Sequence, residues 1–540
     1  MLLATVSTIS AQSWRSSLFP ANWKPGFKDT AGRFLHDFSY AGYQRGEKNI
    51  PVIRKRITDI TKSPYFADAA GKDDITSKLQ QALNDVGKAG GGVVYLPEGT
   101  YKINVSATEK NSIKISYSNT VLRGAGVNKT FIYNDQSNVR DVSVIDVKPL
   151  SQGDWMGKGT NTVSITTDLL EPTNIIPVTS VKGFKVGDWV LLRSDVTTGF
   201  IEEHQMTNLW AKGMNGTMFY RYIIAVDKKT NSLTIDAPTR YFLKKRDNAR
   251  LYIVQPLLSE VGIEHFSIAN RESILPGLGD VDFGKPGTGA YEIHGSNFIR
   301  ISNAIHCWIN NINTYKPVEN IQDIHLVSNG ILLSRSRFIT VDSCDFQKPQ
   351  YKGEGGNGYM YILAGNDCLV KNSRGGNGRH NFDFKSMQSN GNVIFRCRAE
   401  NSRLASDFHM HLSMANLFDN VTVNKDLLEA KFRPYGSLPN MHGWPTTQSV
   451  FWNTNGEAYM KGKDCIVESA QFGWGYIIGS RGPASAVKTA PFFGVLNKYT
   501  FNSSPEDFTE GIGQGDLLQP ASLYEDQLQK RIKRESAATK

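Results

Sequence analysis

Cysteine is scarce: five residues in a chain of 540, an odd number that cannot supply a paired disulfide framework. No stretch approaches the roughly 18 apolar residues that cross a bilayer as a helix, so no membrane span is expected. Gly and Pro, at 49 and 21 residues, are too few for a collagen-like or low-complexity polymer. Charge of neither sign dominates. Lys and Arg number 61 against 51 Asp and Glu, a formal net charge of +10 that favours a polyanionic partner such as a nucleic acid or an acidic polysaccharide. A hydrophobic content of 40% is spread over more chain than one compact core usually organises. Several domains or one elongated repeat fold are expected.

Residues 1–12 read as the remnant of a secretory signal. Leu2 to Ile9 is short and apolar, and Ile9-Ser10-Ala11-Gln12 supplies small residues for cleavage, although a basic leader is missing. A secreted, periplasmic or cell-surface location follows, with the free cysteines buried or inert. Residues 13–60 form an N-terminal extension.

From Asp73 the chain shows a helical run through Leu79, Ala82, Leu83 and Val86, then Gly90-Gly91-Gly92, then the strand Val93 to Leu96. A phosphate-binding loop needs strand, glycines and helix in that order. The order here is reversed, which excludes it. Residues 155–255, including VKGFKVGDWVLLRSD and RYIIAVDKKTNSLTIDAPT, alternate as short strands with polar turns and suggest an inserted β module. Trp210, Phe219, Tyr220 and Tyr222 fit its core better than a sugar-stacking platform.

A diverged repeat runs from about Ile293 to Ile478. WINNI, ITVDSC, CLVKNS, VIFRCR, LFDNVT and VFWNTN align Ile312, Cys344, Ser373, Cys397, Val421 and Thr454 as one column of small or apolar residues. Such units bury their apolar faces only by stacking. Strand-like segments without amphipathic helices choose a β-solenoid, in whose interior Cys344 and Cys397 are core residues. In the tail, 506–540, Ser522 and Glu525 form a capping box. Tyr524, Leu528 and Ile532 then share one helix face that covers an edge or side of the solenoid. The basic KRIKR is expected on its solvated face rather than on nucleic acid.

A period of about 24 residues, within the range of solenoid repeats, lays strands over one another. Phe384, Phe408 and Met441, preceded by Met360, share the inward face. The outward columns are then Tyr359, Asp383, Asp407 and Asn440; Tyr361, Lys385, His409 and His442; and Leu363, Met387, His411 and Trp444. Arg379 and Arg403 align at the strand entrance, beside His380. An insertion near Lys431 to Pro439 carries Arg433 and Tyr435.

LPEGTYKI, with the helix–glycine–strand order before it, resembles the opening of pectate-lyase-like right-handed parallel β-helices. The resemblance extends over roughly Asp73 to Ile478, minus the module. It implies an all-β, single-stranded right-handed parallel β-helix with a capping helix and first coils in 61–154, the inserted module, a main helix in 256–505 and a C-terminal helix. SDFHMHLSMANLFDN and HGWPTTQSVFWN look like a bacterial secreted branch that includes lyases of brown-algal uronate glycans such as fucoidan, fucoglucuronomannan or alginate. The implied function is β-elimination of an acidic, uronate-containing polysaccharide.

That chemistry needs a cation for the substrate carboxylate, a base for the C5 proton and an acid for the leaving oxygen. Arg379 and Arg403 suit the first role. His409 or Lys385 suits the second, and Tyr361, His442 or Tyr435 the third. Trp444 offers a stacking face, with Asp383 and Asp407 orienting their neighbours and His380, His411 and Arg433 as further contacts. Calcium, which many pectate lyases hold in clustered carboxylates, has only Asp383 and Asp407 here. No cofactor is expected, calcium being the one candidate, and His409, His411 and Asp407 give a weak transition-metal signal. Self-association stays open. Two other readings stand beside the lyase: a glycoside hydrolase using Asp383 and Asp407, disfavoured because neighbouring cations should lower both pKa values, and a non-catalytic glycan-binding solenoid.

Overall fold

The computed structural model describes residues 12–151, 159–254, 258–491, 493–496 and 499–538; the signal-remnant reading lies almost wholly outside them. The chain is a right-handed parallel β-helix. Its strands stack in register into three faces. The first runs through Thr340–Asp342, Leu369–Lys371, Val393–Phe395, Leu417–Asp419, Val450–Trp452 and Tyr476–Ile478. The second runs through Asp345–Gln347, Arg374–Gly376, Arg398–Glu400, Thr422–Asp426 and Asn455–Tyr459. The third runs through Asn329–Arg337, Tyr359–Asn366, His380–Phe384, Ser406–Phe408, Leu428–Lys431 and Val467–Ala470.

The repeat column survives intact. Ile312, Cys344, Ser373, Cys397, Val421 and Thr454 follow one another through consecutive ladders and are all buried. The residue before each one, Asn311, Ser343, Asn372, Arg396, Asn420 and Asn453, takes a φ of 49° to 55°. This left-handed kink turns the chain from the first face onto the second. Asn tolerates that region better than most side chains because its short amide bonds locally, which explains why four of these six residues are Asn.

The helix Thr76–Lys88 lays Leu79, Ala82, Leu83 and Val86 onto the first coils, where they join the core cluster inside the solenoid. The glycine run after it serves close approach. A Cβ on Gly91, whose φ is +97°, would come within 2.4 Å of the Asn119 carbonyl oxygen.

The apolar outer side of the first face, with Leu369, Val393, Phe395, Leu417, Val450, Trp452 and Tyr476, is covered by Leu18, Phe19, Trp23, Leu35 and Phe38 and by Leu523 and Tyr524. The last two open the helix Leu523–Ala538. Ser522 Oγ accepts from the Glu525 N–H at 3.1 Å, as the capping pattern predicts. Two expectations for this helix fail. Ile532 is exposed, and Arg531 within KRIKR is buried. Its guanidinium donates to the Ser39 and Arg45 carbonyls and to Glu47, so the buried face turns toward the N-terminal strap.

Strands from Thr160–Ser164 to Arg250–Ile253 form a separate sheet of antiparallel pairs. Trp210 and Phe219 are core there, and Tyr220 packs with Tyr252. The same cluster as Trp210 takes in Met387, Leu412, Met414, Met441 and Trp444, so this module sits on the outer side of the third face.

Phe384 and Phe408 stack inside the helix, ring centroids 4.9 Å apart, with Phe418 and Phe451 at 5.6 and 5.8 Å from Phe408. Removing such a ring from a close-packed interior leaves a cavity. Phe408→Ala is expected to cost about 3–5 kcal/mol, measured by urea unfolding; a loss below about 1 kcal/mol would mean the ring is not in the core.

Candidate active site

On the third face, Asp383 lies beside Asp407 and Phe384 beside Phe408, as the period read from the sequence requires. The same ruler fails on either side. Leu363 pairs with Phe384, a shorter step than that from Phe384 to Phe408, and Tyr361 pairs with Phe382. Tyr361 therefore points inward: it stacks on Phe382 at 5.0 Å and its hydroxyl donates to the carbonyls of Cys344 and Arg374. It has no part in a surface site. Tyr359, at the start of that strand beside His380, is equally buried and stands behind His409, outside the cleft lining.

On the other side, Asp407 pairs with Glu429, not Asn440. The chain then leaves the ladder after Lys431 and returns at Thr446, which pairs with Ser413. This excursion is longer than the insertion expected between Lys431 and Pro439, and it removes Met441, His442 and Trp444 from the coil register. Met441 and Trp444 are buried against the module, and Trp444 Nε1 donates to the His204 carbonyl at 2.8 Å. Trp444 cannot stack on a sugar. His411 faces the same way, with Nε2 3.0 Å from the Met441 carbonyl and its ring edge-on to Trp210. Clamped by the Met441 N–H donating to Leu209 O and the Trp210 indole donating to Met441 O, the excursion brings Arg433, Tyr435 and His442 over the ladder.

What results is a cleft of about 920 Å³ whose lining includes Arg379, His380, Lys385, Arg403, His409, Arg433, Tyr435 and His442. Of the expected site residues, this unites all but Tyr361, His411, Trp444, Asp383 and Asp407. The two aspartates lie behind the lining and are fully buried.

His409 is the pivot of the cluster. Its Nδ1 lies 3.2 Å from Asp407 Oδ2 and its Nε2 lies 3.3 Å from the Tyr359 hydroxyl. With Nδ1–H donating to Asp407, Nε2 is left to accept from Tyr359. His442 and His380 stand with ring centroids 4.8 and 5.4 Å away. Burial, then the charges of Arg433 and Lys385, hold the His409 imidazole well below its usual pKa, and it is neutral. Burial and Arg433 likewise lower His442 to about 4. His380 stacks on Tyr359 at 4.7 Å and donates from Nδ1 to the Ala405 carbonyl.

The carboxylates behave otherwise than the sequence suggests. Burial first, then the charge of Asp407, raises Asp383 well above the carboxylate range, outweighing Lys385 and Arg433. Neither Asp383 oxygen has a partner. The objection that cations spoil Asp383 as an acid therefore falls; what counts against a hydrolase is that the aspartate pair sits behind the imidazoles. Arg403, expected to be free for a substrate, is engaged: its guanidinium grips Asp280 through two 2.6 Å bonds and donates to the Lys352 carbonyl. Arg379 and Lys385 form no ion pair among the described residues, and Lys385 Nζ lies 5.4 Å from the Tyr359 ring centre.

Glu429 lines the cleft and is a site residue that the fixed period missed. Its signal was present: Leu428, Ala430 and Phe432 alternate with Glu429, Lys431 and Arg433, the pattern of a half-buried strand. Arg433 Nη1 donates to Asp407 Oδ2 at 2.5 Å and to Glu429 Oε1 at 3.0 Å.

Neither metal reading fits. Of His409, His411 and Asp407, His411 turns away to the Met441 carbonyl, and His380 instead brings a third ligand atom within 4.8 Å of the other two; for calcium, which favours oxygens, the expected pair Asp383 and Asp407 stands side by side. In both cases the Arg433 guanidinium already holds the Asp407 oxygen an ion would need, and its charge repels one.

Residues 64–181 match the model of a family described as rhamnogalacturonase A/epimerase, pectate lyase-like. A stretch of 68 residues is 39% identical to Alginate lyase 7 of Azotobacter vinelandii, covering 13% of this chain and 8% of that protein. Among solved structures, Geobacillus virus E2 ORF18 is similar over 83% of this chain and 64% of its own, at 12% identity and a TM-score of 0.41. An alginate lyase from Paenibacillus sp. str. FPU-7 is similar over 76% of this chain and 95% of its own, at 10% identity and a TM-score of 0.38. The matched part of Alginate lyase 7 and that of ORF18 are both less than two thirds of those proteins.

Proposed function

We propose that this pectate-lyase-like β-helix is a polysaccharide lyase that cuts an acidic, uronate-containing chain by β-elimination. The observation that carries this reading is the order of groups from the cleft inward. Neutral imidazoles and the two cations without ion pairs, Arg379 and Lys385, face the cleft, while the aspartates stand behind them. Such a lining suits an anionic sugar and removal of a proton next to its carboxylate. The family description of residues 64–181 and the short likeness to an alginate lyase agree with a uronate substrate.

In this mechanism Arg379 and Lys385 hold the substrate carboxylate and offset the charge that builds on it as the C5 proton leaves. His409 is the base: Asp407 accepts from Nδ1–H, fixing the tautomer in which Nε2, accepting from the Tyr359 hydroxyl at rest, exchanges that hydrogen bond for the substrate proton. Tyr435, exposed on the excursion beside Arg433 and lining the cleft, returns a proton to the departing O4.

The decisive test of substrate class compares an acidic polysaccharide with the same polymer after its uronate carboxyls have been reduced to alcohols. Only the native polymer is expected to be cut; equal cutting of both would overturn the assignment. The pH profile is a second check. A base must be unprotonated, so kcat/KM is expected to rise with pH along an acid limb centred below 6.5, the ordinary histidine value from which His409 is lowered. A limb at or above 6.5 would contradict His409 as the base.

A further inference from the structure

Asp383 sits on the third-face ladder between Ile362 on the preceding strand and Asp407 on the following one. Ile362 offers it no polar partner, and both aspartates are fully buried. Three of their four side-chain oxygens have no hydrogen-bond partner among the described residues: Oδ1 and Oδ2 of Asp383 and Oδ1 of Asp407. The fourth, Asp407 Oδ2, is held by Arg433 and by His409 Nδ1. An ionised carboxylate out of water and without a donor is among the costliest groups to bury, and of two side by side one keeps its proton. The remaining groups around Asp383 do not change this. Lys385, Arg433 and Arg379 act on it through charge alone, without a hydrogen bond, and Tyr359 lies close enough to feel its charge. A protonated Asp383 has one hydrogen to donate. Asp407 Oδ1 is the unpartnered acceptor in its register.

We propose that Asp383 and Asp407 share one proton, with Asp383 as the acid donating to Asp407 Oδ1, and that Asp383 is thereby a positioning residue for His409. The unpartnered oxygens of the two side chains then satisfy each other. Held at Oδ1 by this donor and at Oδ2 by Arg433, the Asp407 carboxylate cannot turn away from His409 Nδ1. The pair presents one negative charge to the imidazole as it takes up a proton, and the two aspartates titrate as a unit. The service to His409 rests on the lyase reading; the shared proton does not.

The experiment is infrared difference spectroscopy of wild type against Asp383→Asn at neutral pH. Steady-state kinetics on an acidic polysaccharide accompany it, for wild type, Asp383→Asn and Asp383→Leu. The difference spectrum is expected to show the loss of one protonated-carboxyl band that moves in heavy water. Other buried acids such as Asp419 and Asp507 cancel in it. Asn keeps a donor for Asp407 Oδ1 and carries no charge, so Asp383→Asn is expected to keep near wild-type kcat. Leu keeps the shape without the donor. It is expected to lower kcat by about 10–100-fold, the range for groups that orient a functional side chain from behind. The acid limb of kcat/KM should also move to higher pH, because Asp407 without its donor is a stronger acceptor for His409. A difference spectrum in which no acid band is lost would overturn the proposal. So would a kcat loss of about 10²-fold or more in Asp383→Asn, which would make an ionised Asp383 necessary, or a folded Asp383→Leu with wild-type kcat and an unmoved limb. Should Asp383→Leu not fold, the spectrum and kinetics of Asp383→Asn decide. A chain that cuts no acidic polysaccharide would sink the lyase reading, and the spectrum alone would then decide the shared proton.

Discussion

His409→Ala is expected to lower kcat by about 10²–10⁴-fold, the range for loss of a general base, while substrate affinity largely survives. The split follows from geometry. Arg379 and Lys385 carry the carboxylate contact, whereas His409 acts on a proton whose transfer belongs to the transition state. Its orientation comes from Asp407 at 3.2 Å and its neutrality from burial beside Arg433 and Lys385. Asp407→Asn should therefore reproduce much of the loss with the imidazole still in place. Steady-state kinetics with an acidic polysaccharide decide the matter. A His409→Ala enzyme with near wild-type turnover would move the base to His442, the neutral imidazole with an unpartnered Nδ1.

Asp367→Asn is expected to destabilise the protein more than any change in the cleft. Asp367 is fully buried and faces three buried arginines: Arg337 Nε at 2.8 Å, Arg240 Nη2 at 3.1 Å and Arg221 Nη1 at 3.4 Å. Arg337 has a second partner in Asp236 at 2.8 Å. Burial pushes the Asp367 carboxyl up, but the three guanidiniums outweigh it and hold it at about 2. Arg221 and Arg240 come from the segment of the module, Arg337 and Asp367 from the β-helix, so the network is also the seam between them. Neutralising the shared carboxylate strands like charges out of water, at a cost of about 3–5 kcal/mol. Because this pKa is depressed from 3.8, the stabilisation is present above pH 3.8 and lost as the pH falls towards about 2. Urea unfolding of the variant at neutral pH is the measurement, and a loss under about 1 kcal/mol would contradict the account.

The fold was legible where the chain repeats a local geometry. Each turn of the solenoid needs a left-handed residue followed by a small buried one, and pairs such as Asn372-Ser373 and Asn420-Val421 show both in sequence. The active face was legible only in part. Asp383, Asp407, Lys385 and His409 fell into place because the step between those two coils matches the period read from the sequence. The neighbouring steps differ, since length is absorbed in the turns rather than in the strands, and a fixed ruler then exchanges inward for outward residues. That is how Tyr361, which points inward, was placed on the outer face and how Glu429 was overlooked. Trp444 and His411 failed for another reason: their apolar surroundings come from the inserted module, far away in sequence, and no local pattern announces that contact.

The central claim is that the cleft breaks chains by elimination, and the most direct test counts the products of one reaction two ways. With an acidic polysaccharide in heavy water, new reducing ends and new ultraviolet-absorbing unsaturated uronates are quantified together. Elimination predicts one conjugated double bond for every chain cut, with both signals lost in His409→Ala. Reducing ends without absorbance would make the enzyme a hydrolase, and deuterium gained at C5 with no chain cut would make it an epimerase; either result would contradict the account.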